Sequence, residues 1–227
     1  MTLNVTLCSA WRLYVIIDRA ASRGRDLAEL TAAAIRGGAD VIQLRDKQAS
    51  ARVLLEEARR LLAVTRAARI PLIINDRADI AQAVGADGVH LGQEDLPVAA
   101  ARDLLGPKSL IGLSTHSLDQ ALAAEADGAD YLGFGPIFPT PTKPDYGSIA
   151  TELIREVAAR TRAPMVCIGG IDATNLDEVL RAGAERVAVV RAVCGADNPE
   201  VAAWELKQRL TKFPPASSQP HPIMKGC

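Results

Sequence analysis

The sequence predicts a single α/β domain, a closed (β/α)8 barrel of parallel strands, on three observations. Eight short apolar runs alternate with longer amphipathic stretches along the 227 residues. The runs lack strict apolar–polar alternation, as befits strands covered on both faces. A Gly-Ala-acid motif also precedes every second run: Gly38-Ala39-Asp40, Gly85-Ala86-Asp87, Gly128-Ala129-Asp130 and Gly183-Ala184-Glu185. Glycine there can close the preceding helix in the left-handed conformation, and a small residue lets the chain turn into the strand. That rhythm reads as repeated quarter-barrels, which an open doubly wound sheet does not require.

In order, the predicted strands are Leu13–Ile17, Val41–Leu44, Leu72–Asn75, Gly88–Leu91, Leu110–Ser114, Tyr131–Phe134, Met165–Ile168 and Val187–Val190. Stretches such as Ala49–Ala68 and Thr151–Arg160, rich in Ala, Leu, Arg and Glu, read as the helices between them. Residues 1–10 form a lead-in with no assigned element, and 11–213 form the barrel. Residues 214–227, with four prolines among Ser, Gln and Gly, read as a disordered tail.

Composition narrows the function. A net charge of −1 supplies no basic field to steer nucleic acid or an anionic membrane. At 48% hydrophobic residues the core needs neither disulfide nor structural metal. Cys8, Cys167, Cys194 and Cys227 are scattered without a C-x-x-C pair, which points to reduced thiols rather than a zinc site. The N-terminus has no signal-peptide pattern and no apolar run spans a membrane. A soluble, cytoplasmic protein is the expectation, and a homo-oligomer is compatible with it.

Barrel enzymes work at the C-terminal ends of their strands, so the residues after each run are the ones to read. After the second strand, Gln43, Arg45 and Lys47 share one face, with Leu44 opposite and Asp46 between. Two cations on an inward face call for an anion, and arginine's planar fork with lysine's point charge suits phosphate. After the third and fourth strands stand Asn75-Asp76 and, following His90, Asp95. Each aspartate is either a helix cap or, as a pair beside the cations, a Mg²⁺ site for a diphosphate. His90 reads first as a packed core residue. After the fifth strand, Ser114 is a candidate hydrogen-bond donor to ligand, while Ser117 starts the next helix.

The long loop Gly135–Pro144 after the sixth strand offers Thr140, Pro141, Thr142 and Lys143 for oxyanion contacts. After the seventh and eighth strands come Gly169-Gly170 and Val190-Arg191, where barrels often hold phosphate. The rim therefore offers two anion sites, one metal-assisted and one lined by backbone. They imply two phosphorylated ligands or one ligand phosphorylated at both ends.

Gln43-Leu44-Arg45-Asp46-Lys47, Ile74-Asn75-Asp76-Arg77, Gly88 to Pro97, Gly133 to Lys143 and Ile168-Gly169-Gly170-Ile171 together resemble the motif set of the thiamine-phosphate synthase family. The resemblance runs in one order from about Leu13 to Arg191. It implies a barrel that condenses 4-amino-2-methyl-5-(diphosphooxymethyl)pyrimidine with a thiazole phosphate, carboxylated or not, and releases diphosphate. It further implies that Gln43 to Lys47, Asn75, Ser114 and Lys143 hold the pyrimidine diphosphate, with Arg45, Lys47, Lys143 and Ser114 catalytic. Asp76 and Asp95 would bind one Mg²⁺ per subunit. Thr140, Pro141, Thr142, Gly170, Val190 and Arg191 would receive the thiazole phosphate, Arg191 through either its side chain or its backbone N–H. The implied mechanism is dissociative and needs no protein nucleophile. Alternatives are a thiazole tautomerase, another phosphate-binding barrel and a non-catalytic binding protein. The tautomerase would need neither the paired aspartates nor the Gln-x-Arg-x-Lys face, and a binding protein would show no Mg²⁺-dependent release of diphosphate.

Overall fold

A computed structural model describes residues 3–140, 149 and 151–213. The first half of the chain forms α1 (Leu3–Ser9), β1 (Leu13–Asp18), α2 (Leu27–Arg36), β2 (Val41–Arg45), α3 (Ala51–Ala68), β3 (Leu72–Asn75), α4 (Ala78–Val84) and β4 (Gly88–Leu91). The second half forms α5 (Val98–Leu105), β5 (Leu110–Thr115), α6 (Leu118–Ala126), β6 (Tyr131–Phe134), α7 (Glu152–Arg160), β7 (Met165–Ile168), α8 (Leu176–Arg181), β8 (Val187–Val189), α9 (Arg191–Cys194) and α10 (Pro199–Lys212). The strands are parallel and neighbour one another in chain order, and β8 closes onto β1.

The strands read as unbroken apolar runs because both faces are covered. Val15, Ile42, Leu44, Ile74 and Val89 point outward and pack against the helices. Tyr14, Ile16, Val41, Ile73, Leu110, Tyr131, Val166 and Ala188 form a separate cluster inside the barrel. Expected ends shift by a residue where pairing dictates. β1 and β2 run on through the Asp18–Arg45 pair, whereas β8 stops at Val189 because the chain turns at Val190 into α9.

The lead-in carries an element that its short apolar content does not announce. Its helix α1 brings Cys8 and Trp11 into the inner cluster at the bottom of the barrel. Trp11 stands edge-on to Tyr14 and Tyr131, with ring centroids 5.9 and 5.2 Å away.

The Gly-Ala-acid motif behaves as expected at its glycines, which have φ of 98°, 67°, 87° and 109° in chain order. Its acid does more. The Asp40 carboxylate accepts from the N–H groups of Arg12 and Leu13 at 2.8 and 2.9 Å. Asp87 accepts from Leu72 and Asp130 from Ile111, both at 2.8 Å. The backbone N–H of each aspartate donates back to the carbonyl of Leu13, Leu72 or Ile111 respectively. Three odd strands are thus stapled at their feet to the strand that follows. Lys207 and Arg102 neutralise Asp40 and Asp130. The fourth copy differs: Glu185 pairs with Arg12 and Arg186.

Cys8, Cys167 and Cys194 are free and buried. Burial pushes the Cys167 thiol up to about 12 and the Cys194 thiol up to about 11. Among the described residues no helix is long and apolar enough to cross a membrane. Cys227 and the tail 214–227 lie outside the described residues.

Candidate active site

Alternation along each strand delivers one set of side chains to the upper mouth of the barrel. Gln43, Arg45, Asn75, Ser114, Thr140, Gly170, Val190 and Arg191 all line a single cavity of about 180 Å³. An apolar cavity of roughly 150 Å³ holds benzene, so this one has room for a six-membered heteroaromatic ring.

The floor of the cavity is polar. The Gln43 amide Nε2 donates to the Tyr14 hydroxyl at 2.8 Å, and the Tyr14 and Tyr131 hydroxyls stand 3.0 Å apart. His90 joins Tyr131 through Nδ1 at 3.1 Å and Ser114 through Nε2 at 3.0 Å. Burial raises the pKa of both tyrosines, so they remain protonated near neutrality. One atom is left out: Gln43 Oε1 is buried without a partner. An unsatisfied buried acceptor costs about 1–3 kcal/mol. Glycines make room for this floor. A Cβ at Gly112 would fall 2.1 Å from the Tyr131 ring, and one at Gly133 would fall 3.0 Å from the His90 imidazole.

Charges gather at the rim above β1 to β4. Arg45 is paired with Asp18, which is 3% exposed and also accepts from the Ala21 N–H at 3.0 Å. Lys47 reaches Asp76 at 2.8 Å. Neither Asp76 nor Asp95 caps a helix. α4 starts behind Arg77 and α5 behind Pro97, each without a side-chain cap bond. Asp76 instead sits in left-handed backbone, with φ 61°. Asp95 Oδ2 accepts from the Gly92 N–H at 2.6 Å, an approach that a Cβ at Gly92 would block. Burial, and then the facing Asp76 carboxylate, hold the Asp95 carboxyl above the usual carboxylate range. The Gly92 N–H and Lys47 pull the other way. Two carboxylates forced together beside one lysine suit a hard divalent cation. No cluster of three His, Cys, Asp or Glu exists among the described residues, so further oxygen ligands would come from substrate and water.

Two of the expected binding residues have other employment. Leu44 is fully buried and faces the helices, so only its backbone can reach the mouth. The Asp46 carboxylate accepts from the Gln48 and Ala49 N–H groups, both at 3.0 Å, and lies 3.9 Å from Arg19. Both orientations follow from the pleat, which turns even-numbered residues of this segment outward. Ser117, not Ser114, caps α6, accepting from Gln120 at 3.2 Å.

At the opposite rim, Gly169 and Gly170 have φ of 103° and 62°. A Cβ at Gly170 would meet the Pro139 carbonyl oxygen and the Phe138 Cβ at 2.8 Å. Glycine is thus required there by the β6 loop packed over it as well as by the backbone. Val190 and Arg191 open α9. Pro141, Thr142 and Lys143 lie outside the described residues. Sequence reading missed Asp18, Tyr14 and Tyr131. The signal for the tyrosines was two phenols at inward parity on otherwise aliphatic strands.

Comparison with known proteins gives a consistent answer. The thiamine monophosphate synthase family model matches residues 13–193. The thiamine-phosphate synthase of Chloroflexus aurantiacus is 52% identical over 198 residues, covering 87% of this chain and 91% of that one. A thiamine-phosphate synthase from a Mycobacterium species is 50% identical over 215 residues, covering 87% and 92%. Among solved structures, a thiamine phosphate pyrophosphorylase from Pyrococcus furiosus superposes with TM-score 0.83 at 39% identity, covering 91% and 98%. A 3-hexulose-6-phosphate synthase, at TM-score 0.62 and 20% identity, shares only the fold. The chain belongs to the thiamine monophosphate synthase family, and its activity is that of a transferase forming thiamine phosphate.

Proposed function

We propose that the cavity holds the ring of 4-amino-2-methyl-5-(diphosphooxymethyl)pyrimidine with its diphosphate at the Arg45–Lys47–Asp76–Asp95 rim. The thiazole phosphate then lies against Thr140, Gly170, Val190 and Arg191, and the family motif adds Pro141 and Thr142 to its contacts. The observation that carries this reading is the facing carboxylate pair, placed with Lys47 beside a ring-sized cavity. Asp76 and Asp95 would hold Mg²⁺, which when bound supplies charge neutralisation for the departing diphosphate. Arg45, Lys47 and Lys143 add positive charge at the leaving group, and Ser114 orients the ring. The methylene C–O bond breaks and the thiazole nitrogen supplies the electron pair of the new C–N bond. The residues of the mouth hold the two rings in line for that capture. Cytoplasmic location belongs to the same reading, in keeping with free buried thiols.

The test is a coupling assay on purified protein with both substrates and Mg²⁺, reading thiamine phosphate by mass. Thiamine phosphate and diphosphate are expected in equal amounts, and chelator abolishes both. Folded protein that binds thiazole phosphate but yields no product would point instead to a tautomerase or a binding role.

Asp18 has a place in this scheme as a positioning residue for Arg45. Asp18→Asn keeps the shape but removes the charge that fixes the guanidinium. KM for the pyrimidine diphosphate should rise about tenfold, in the range that a slight misplacement of a positioning group costs. Steady-state kinetics decide it, and an unchanged KM removes the role.

A further inference from the structure

We infer that the floor of the barrel is a one-way hydrogen-bond relay, Gln43–Tyr14–Tyr131–His90–Ser114, whose polarity selects an aminopyrimidine over its oxo counterpart. The inference rests on the pyrimidine reading of the cavity given above.

The direction follows from counting protons. Gln43 is 1% exposed and lines the cavity; its Nε2 donates to the Tyr14 oxygen, which leaves Oε1 without a partner. Tyr14 is 2% exposed, and its single proton has the Tyr131 oxygen as its acceptor at 3.0 Å. Tyr131, fully buried, then has only His90 Nδ1 left to receive its own proton, at 3.1 Å. A neutral imidazole carries one donor and one acceptor. With Nδ1 accepting, Nε2 holds the proton and donates to Ser114 Oγ at 3.0 Å. The Ser114 hydroxyl proton is thereby directed away from His90 and toward the ligand.

The two ends of the relay are therefore unlike. On the β2 wall a cavity-lining glutamine is left with an unsatisfied amide oxygen, and on the β5 wall the serine is left with a hydroxyl proton to donate. A ring with an exocyclic N–H on one edge and an unprotonated ring nitrogen on another satisfies both. Replacing the amine by an oxo group sets acceptor against acceptor at Gln43 and disfavours that ring. Tyr14, Tyr131 and His90 act here through Gln43 and Ser114, as positioning residues. Reversal of the chain would demand the opposite ligand, so tautomer and selectivity are linked.

The linkage can be read with and without catalysis. In full-length protein labelled with ¹⁵N-histidine, long-range ¹H–¹⁵N correlation reports which nitrogen of each imidazole is protonated. Among the three histidines, His90 is assigned by its loss in His90→Gln. A bare Nδ1 and protonated Nε2 are expected, and Nδ1–H overturns the relay's direction. Tyr131→Phe and Tyr14→Phe keep the rings and cut the relay at successive links. Wild type should prefer the 4-amino over the 4-oxo pyrimidine diphosphate by on the order of 100-fold or more in kcat/KM. Each variant should lose at least about tenfold of that preference, whatever its absolute rate. Retention of the wild-type ratio in both variants refutes the relay. If wild type turns over neither pyrimidine, the proposed function has failed, while the tautomer still decides the relay's direction.

Discussion

Asp76→Asn is expected to lower kcat by on the order of 10²–10³-fold at saturating Mg²⁺ while leaving the barrel folded. The substitution keeps size and tolerance of left-handed backbone, so the φ of 61° poses no new difficulty. What it removes is one charge of the facing carboxylate pair. Asp76→Gly should be as inactive, yet more stable than wild type. A non-glycine residue in left-handed backbone costs roughly 1–2 kcal/mol, less for Asp than for most. Glycine also relieves Asp95 of its facing carboxylate. The exposed Lys47 pair that is lost contributes at most about 1 kcal/mol. A net gain near 1 kcal/mol raises Tm by about 2–4 °C in a domain of this size. Calorimetry and steady-state rates on the same preparation check both halves. Wild-type turnover in Asp76→Gly would remove Asp76 from the proposed Mg²⁺ site.

Gly112→Ala is expected to destabilise the barrel by about 3 kcal/mol or more, a Tm fall of roughly 6–12 °C. The added methyl would stand 2.1 Å from Tyr131 Cζ and 2.5 Å from its hydroxyl oxygen. That ring has nowhere to retreat. It is fully buried, Trp11 stands against it, and Tyr14 and His90 hold its hydroxyl. Relief by moving the ring breaks the floor of the cavity; relief by moving β5 disturbs the register Gly112↔Tyr131. Activity should fall with stability. A Tm within about 2 °C of wild type would show that the ring has slack.

Much of this was legible in the residues, for physical reasons that also explain the gaps. Strand positions were readable because burial on both faces leaves unbroken apolar runs, as at Leu13–Ile17 and Leu110–Leu113. Helix α1 was not, because seven residues are too few for periodicity and its role depends on Trp11 meeting rings from β1 and β6. Gln43, Arg45, Asn75 and Ser114 were found by their place toward the C-terminal ends of strands, which the barrel converts into a shared mouth. Asp46 and Leu44 belonged to the same motif, yet the pleat turns them outward. Asp18 and the tyrosines were overlooked because their partners are distant in sequence. Tyr14 meets a residue 117 positions away, and only closure of the sheet brings the two together.

The stapled feet of the strands have a consequence for the electrical character of the molecule. At the lower end the chain engages its own acids: Asp40, Asp87 and Asp130 each accept from strand N–H groups, two of them facing a cation besides. At the upper end Asp76 and Asp95 confront one another. A net charge of −1 conceals this sorting of like residues into two populations. The barrel is a self-neutralised base beneath an electrostatically unfinished mouth. Whatever docks there completes a charge balance that folding leaves open. A mouth quenched as thoroughly as the base would make a sturdier barrel with nothing to offer a ligand.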